Sequence, residues 1–229
     1  MKLAVIPARG GSKRIPRKNI RPFAGRPMLA YAVAAARNSQ LFDCIAVSSE
    51  DSDILDLAIS LGAKPLPRPE GLADDFTPTV PVVAHAISAL EAELGRMDVV
   101  CCIYPAVPFL RPDDIRDALN ILPPATTKFA FPVIRFPSAV QRALRLDSEG
   151  GVSPLFPDAT EKRSQDLEAA YYDAGQFYWA SRECWLTGRS IHANGVGLVI
   201  PEWRAVDIDT PDDWHRAELM FKAMNETLT

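Results

Sequence analysis

The chain has 229 residues, 48% of them hydrophobic and 24% charged, and carries a formal net charge of −4. A chain this long buries enough apolar surface to fold without disulfides or structural metal, and its slightly acidic balance excludes general nucleic-acid binding, which needs a broad basic face. No apolar run approaches the roughly 20 residues of a membrane span, and the opening "LAVIPA" is cut by Pro7 and followed at once by charges, unlike a signal peptide.

The four cysteines (Cys44, Cys101, Cys102, Cys184) show no C-x-x-C spacing, and the three histidines (His85, His192, His215) are scattered. This predicts a cytoplasmic protein with reduced, mostly buried thiols and no zinc site.

Short apolar runs alternate with segments of helical period, the pattern of βαβ units on a parallel sheet. "KLAVIPA" (2–8) predicts the first strand, with a basic loop directly after it. "PMLAYAVAAARNS" (27–39) predicts a helix with proline in its first turn, and "DCIAVSS" (43–49) a second strand. Ile54, Leu57, Ala58 and Leu61 recur at i, i+3, i+4 and i+7, with Gly62 as a C-cap. Val80, Val83, Ala84, Ile87, Leu90 and Leu94 mark a further amphipathic helix. "MDVVCCIYP" (97–105) is continuously apolar, as a central strand covered on both faces would be.

"RPDDIRDALNIL" then predicts a short helix and "KFAFPVIRF" a strand. From about 135 to 170 the sequence turns polar and loses sustained period, too long a stretch for an ordinary connection. It reads as an insertion or a lid within a single domain spanning 1–229. "DAGQFYWA" (173–180) and "VGLVIP" (196–201) return to strand character. A last helix follows "AVDIDTPDDW", with Thr210 as its cap, Pro211 at its first position and Trp214, Ala217, Phe221 and Met224 on its buried face.

Two stretches carry chemistry. In open α/β sheets ligands bind beyond the carboxyl ends of the strands, which is where "ARGGSKR" falls. Gly10 and Gly11 let the backbone approach an oxyanion and turn N–H groups toward it, while Arg9, Lys13 and Lys18 supply charge suited to polyphosphate. The sequence is neither G-x-x-x-x-G-K-[ST] nor G-x-G-x-x-G. The other reading is a solvated basic turn, to which Arg14 and Arg17 belong in either case.

The second stretch is "VDIDTPDDW". In an extended segment Asp207 and Asp209 point to one side, and two carboxylates there repel unless a cation sits between them or they stay well solvated. A hard cation such as Mg²⁺ suits oxygen ligands together with substrate phosphates; Asp209 could instead cap the last helix, whose first turn takes Asp212 and Asp213. Together the two stretches suit either metal-assisted transfer on a nucleoside triphosphate or a regulatory nucleotide-binding domain.

The segment "IPARGGSKRIPRKNI" resembles the N-terminal motif of the cytidylyltransferases that activate nine-carbon keto-sugar acids, the CMP-sialic acid synthetase family. Further similarity runs through "RPEGLADDFTPT" (68–79), "YPAVPFLRPDDI" (104–115), "RSQDLEAAYYDAGQFYW" (163–179) and "DIDTPDDW" (207–214). "IYPAVPFL" and "DAGQFYW" resemble the branch acting on pseudaminic acid; the sialate branch usually carries Gln where Tyr104 stands here.

The resemblance implies a Rossmann-like nucleotidyltransferase fold, α/β with a mainly parallel central sheet, and a 135–170 excursion through which two subunits form a homodimer. It implies CTP and a nonulosonic acid as substrates, with Mg²⁺. Arg9 and Lys18 would grip the triphosphate as catalytic residues, supported by Ala8, Gly10, Gly11, Ser12 and Lys13. Asn19 would contact the nucleotide near the ribose, and Arg68 and Thr79, with backbone near Thr77, would read the cytosine edge. Tyr104, Gln176, Phe177 and Tyr178 would line the sugar pocket. Arg142 or Arg163 of a partner subunit would meet the sugar carboxylate, and Asp207 and Asp209 would hold the metal. Composition and spacing leave open a sialate-activating enzyme and a non-catalytic module that senses CTP or a sugar.

Overall fold

The computed structural model describes residues 1–74, 76–124 and 127–226. Strand β1 (Lys2–Pro7) lies inside the sheet with Leu3, Ala4, Val5 and Ile6 fully buried, as its unbroken apolar run requires. The chain leaves it through the basic loop into a small hairpin, β2 (Pro22–Phe23) and β3 (Arg26–Pro27), and then helix α1 (Met28–Ser39). Pro27 stands just before that helix rather than in its first turn.

Strand β4 (Cys44–Ser49), helix α2 (Ser52–Ser60), strand β5 (Lys64–Pro67), helix α3 (Thr79–Leu94), strand β6 (Val99–Ile103) and helix α4 (Pro112–Ile121) follow. β1 pairs in parallel with β4 and β6, Val5 standing between Ala46 and Cys102, and β5 extends this parallel half beyond β4. Asp51 caps α2 by accepting the Asp53 and Ile54 N–H groups. At its other end Gly62 takes φ 71° one residue past the C-cap Leu61, and the Ala63 N–H reaches the Ala58 carbonyl.

Strand β7 (Phe129–Arg135) precedes the excursion, which contains a hairpin of β8 (Leu144–Leu146) and β9 (Val152–Pro154) and short 3-10 turns. The strand expected over 173–180 is divided into β10 (Tyr171–Asp173) and β11 (Phe177–Ser181). The cause is local: the Asp173 carboxylate accepts the Gly175 N–H at 2.8 Å, and Gly175 sits at φ 62°, a turn that ends a strand. Helix α5 (Arg182–Leu186), strand β12 (Gly195–Val199) and helix α6 (Pro211–Glu226) complete the order.

The eight-stranded sheet runs β10-β7-β11-β6-β1-β4-β5, with β12 parallel to β7. β11 is antiparallel to both β6 and β7, so the sheet is mixed and mainly parallel. One face is covered by α1, α2 and α4 around Phe177 and Trp179, the other by α3 and α5 around Tyr178 and Trp185. Both tryptophan indoles donate to main-chain oxygens, Trp179 to Ile115 and Trp185 to Val100, which satisfies the one polar group each brings inside.

A third apolar cluster positions the site. Ile15 of the basic loop, Phe23 of the small hairpin, Phe109, Ile208 and Trp214 of α6 pack together, with the Phe23 and Trp214 rings edge to face at 5.4 Å. Thr210 caps α6 as expected, in a reciprocal box: the Asp213 N–H donates to Thr210 Oγ1 and the Thr210 N–H to Asp213 Oδ2. Among the described residues no helix is long and apolar enough to cross a membrane.

Candidate active site

Beyond the carboxyl ends of β1, β4 and β6 lies a cavity of about 570 Å³. The basic loop gives it Arg9, Ser12, Lys13, Arg14, Lys18 and Asn19; Arg68, Thr77, Thr79 and Tyr104 form other walls, and Asp207, Ile208 and Asp209 close it. Sequence segments from both ends of the chain therefore meet in one space.

The loop is held from below. Asn19 is buried; its Nδ2 donates to the Arg9 carbonyl at 2.9 Å, and its own carbonyl accepts the Leu29 N–H. Asn19 Oδ1 is buried without a hydrogen-bond partner. Ala8 is fully buried, its N–H on the Ser48 carbonyl. The expectation that the Gly10 N–H faces an oxyanion is not met. That N–H donates to Glu50 Oε1 at 2.7 Å. The glycine is required all the same, because a Cβ there would lie 2.3 Å from Asp51 Oδ2. Arg17, at φ 54°, turns away to pair with Asp53, whereas Arg14, read as part of a solvated turn, reaches Asp209.

The segment carrying the two carboxylates is not a strand; Ile208, 1% exposed, packs into the third apolar cluster, and Asp207 and Asp209 line the cavity on either side of it. Asp209 Oδ2 lies 2.8 Å from Arg14 Nη1 and Oδ1 lies 3.4 Å from Lys18 Nζ, which also donates to the Ile208 carbonyl at 2.8 Å. Asp209 does not cap α6, because Thr210 does. Among the described residues no group of three or more His, Cys, Asp or Glu could hold a metal alone. Two carboxylates beside a ring of cations fit a hard divalent ion only as part of its shell, with phosphate oxygens and water completing it.

On the opposite wall Arg68 is 9% exposed; its Nη2 donates to the Ser48 carbonyl and stands 3.4 Å from Glu50 Oε2. Burial lowers the Arg68 pKa, and the Glu50 charge opposes that shift. Thr79 Oγ1 and Tyr104 Oη are hydrogen-bonded at 2.8 Å, and the Tyr104 N–H donates to the Gln176 carbonyl. Burial raises the Tyr104 phenol pKa.

A second chamber of about 310 Å³ shares Tyr104, Ala106, Gly175 and Asp207 with the first, and Asp173 and Gln176 line it. Gln176 is 3% exposed, with Nε2 donating to the Arg204 carbonyl and Oε1 without a partner. Phe177 and Tyr178, expected in the sugar pocket, belong instead to the core. Strand alternation sends them to opposite faces of the sheet, each covered by helices. Tyr178 donates to Asp173 Oδ2 at 2.7 Å, and its phenol pKa is raised chiefly by burial.

Arg142 and Arg163 are exposed on the excursion and line neither chamber. Arg142 donates to the Lys162 carbonyl and borders a separate cavity of about 970 Å³ beneath the excursion. Sequence reading passed over Glu50, Asp173 and the buried Asp114–Arg204 pair. The one available signal was position: Glu50 follows a strand at its carboxyl end.

The chain matches the model of the family described as Cytidylyltransferase over residues 3–183. It is 38% identical over 227 residues to the pseudaminic acid cytidylyltransferase of Campylobacter jejuni, covering 98% of each chain. It is 33% identical over 235 residues to the CMP-N,N'-diacetyllegionaminic acid synthase of Legionella pneumophila, covering 99% of this chain and 98% of that one. A solved structure of CMP:2-keto-3-deoxy-manno-octonic acid synthetase complexed with CTP shares the fold, with a TM-score of 0.75 over 97% of this chain and 99% of that one at 16% identity.

Proposed function

The chain belongs to the cytidylyltransferase family, and on that premise we propose that it transfers CMP from CTP to pseudaminic acid, a nine-carbon keto-sugar acid. The observation that carries this reading is the adjacency of two chambers: a cation-lined space of about 570 Å³ shares Tyr104, Ala106, Gly175 and Asp207 with a smaller one of about 310 Å³, whose described lining holds no Lys, Arg or His. The first suits a triphosphate and base, the second a sugar. Full-length similarity to a pseudaminic acid cytidylyltransferase supports the choice of sugar.

In the reaction the anomeric hydroxyl oxygen bonds to the α-phosphorus. The bond from that phosphorus to the bridging oxygen breaks, pyrophosphate leaves with the electron pair, and the hydroxyl proton passes to solvent. Arg9, Lys13 and Lys18 neutralise charge along the triphosphate. Lys18 is already fixed by the Ile208 carbonyl and Asp209, so its ammonium needs little reorganisation when charge grows on the leaving oxygen. Arg68 and Thr79 face the cytosine, whose O2 acceptor and N4 donor differ from those of uracil. Gln176 presents a buried, unpartnered acceptor to the sugar. Asp207 and Asp209 would hold Mg²⁺, which when bound supplies charge neutralisation at the phosphates.

We assign the 135–170 excursion to a homodimer. Leu144, Leu146 and Val152 of its hairpin are each more than 60% exposed, more apolar surface than an isolated hairpin keeps in water without a partner. The free cysteines support a cytoplasmic location.

The test is pyrophosphate release from CTP and Mg²⁺ with pseudaminic acid, N-acetylneuraminic acid or no sugar. Release with pseudaminic acid alone is expected. Release only with N-acetylneuraminic acid overturns the substrate, and CTP binding without turnover on either sugar turns the reading toward a sensor.

A further inference from the structure

Glu50 touches both halves of the nucleotide-facing wall. Its Oε1 accepts the Gly10 N–H of the basic loop at 2.7 Å, and its Oε2 lies 3.4 Å from Nη2 of the buried Arg68. Its own backbone is fixed on either side: β4 ends at Ser49, and Asp51 caps α2. The loop lies so close to this corner that Gly10 has no room for a Cβ beside Asp51.

The electrostatics give the carboxylate a task. Arg9 and Arg68 line the same cavity, and the charge of Arg9 acts against that of Arg68. Two buried or half-buried cations are tolerated side by side only with a counter-charge. The Ser48 carbonyl accepts one Arg68 hydrogen bond, but the charged partner of the guanidinium is Glu50.

We propose that Glu50 is a positioning residue for nucleotide recognition, its Oε1 fixing the basic loop by a hydrogen bond and its charge holding the base-side arginine in register with that loop. It touches neither phosphate nor base and acts through Gly10 and Arg68. The inference rests on the assignment of Arg68 to the cytosine made above.

The test is Glu50→Gln in the intact protein, assayed by pyrophosphate release with CTP and with UTP. The amide oxygen still accepts from Gly10, while the charge facing Arg68 is lost. The expected result is a roughly tenfold rise in the KM for CTP and a roughly tenfold narrowing of the CTP-over-UTP preference, with kcat within about threefold of wild type. Loss of thermal stability alone would not move that preference. An unchanged preference overturns the proposal. If Glu50→Gln does not fold, Glu50→Asp decides: one methylene shorter, it cannot span both contacts, and an undiminished preference there overturns the proposal equally. The wild-type protein separates this inference from its premise. Without a CTP preference in the wild type, the assignment of Arg68 fails; with one that the variant keeps, only the role of Glu50 fails.

Discussion

The ammonium of Lys18 lies 3.4 Å from Oδ1 of Asp209, 191 positions further along the chain. Arg14 approaches the other oxygen of the same carboxylate. Asp209 thus organises two cations of the basic loop, and the loop and the acidic segment form one electrostatic unit.

Under the proposed mechanism, replacing Lys18 by alanine removes a donor that the Ile208 carbonyl and Asp209 hold at the cavity wall. Turnover is expected to fall on the order of 10²–10³-fold, with an essentially unchanged melting temperature because the side chain belongs to no apolar cluster. Near-normal turnover in a folded Lys18→Ala protein would contradict the role given to it.

Chelation should abolish pyrophosphate release, and added Mg²⁺ should restore it. In Asp209→Asn one of the two carboxylates that line the cavity among the described residues is neutralised, so half-maximal activity should need roughly tenfold more Mg²⁺ or beyond. A Mg²⁺ titration that overlays the wild-type curve would remove Asp209 from the metal site.

Arg204 Nη1 donates to both Asp114 carboxylate oxygens, at 2.8 and 2.9 Å, with both side chains largely buried. The Arg204 carbonyl also accepts from Gln176, so the pair anchors the backbone that leads to Asp207. Asp114→Ala should cost about 3 kcal/mol, because it leaves the guanidinium buried without its partner. Denaturant unfolding measures this; a loss under 1 kcal/mol, on the order of a surface pair, would show the pair to be dispensable.

Glu91 shows how acid should act on the fold. Its hydrogen bonds from Arg182, opposed by burial and aided by the Met97 N–H, hold its carboxyl at about 2 against an ordinary 4.5. A depressed folded-state pKa contributes stability above the unfolded value and loses it as protons bind. Stability should therefore decline as pH falls from about 4.5 toward 2. Glu91→Gln should show a shallower decline over that window, and parallel curves for the two proteins would refute the linkage.

Much of the architecture was legible because it is periodic. β1, β4, β6 and α2 follow from apolar runs and i, i+3, i+4 spacing alone. β5 was not, since "KPLP" carries two prolines that cannot donate to a ladder; its place at the sheet edge tolerates them. At the site, the basic loop and the acidic pair were legible as clusters of like charge. Their meeting was not, because it depends on Ile15 and Ile208 entering one apolar cluster with Trp214. Phe177 and Tyr178 were misplaced for a related reason. On a strand covered on both faces every side chain points into packing, and the chamber is lined instead at the turn before it, by Asp173 and Gln176. Glu50 gave no pattern at all: its partners Gly10 and Arg68 lie on other loops.

The cluster that joins the basic loop to α6 also sets an order in time. At about 5–20 residues per second, roughly 10–40 s of synthesis separate Lys18 from Asp209 on the ribosome. For all that interval Arg14 and Lys18 await the carboxylate of Asp209, and Phe23 stays uncovered by Trp214. The acidic edge of the cavity is therefore among the last features the polypeptide completes, and a product cut short before residue 209 has most of the sheet but lacks the carboxylate that Arg14 and Lys18 meet.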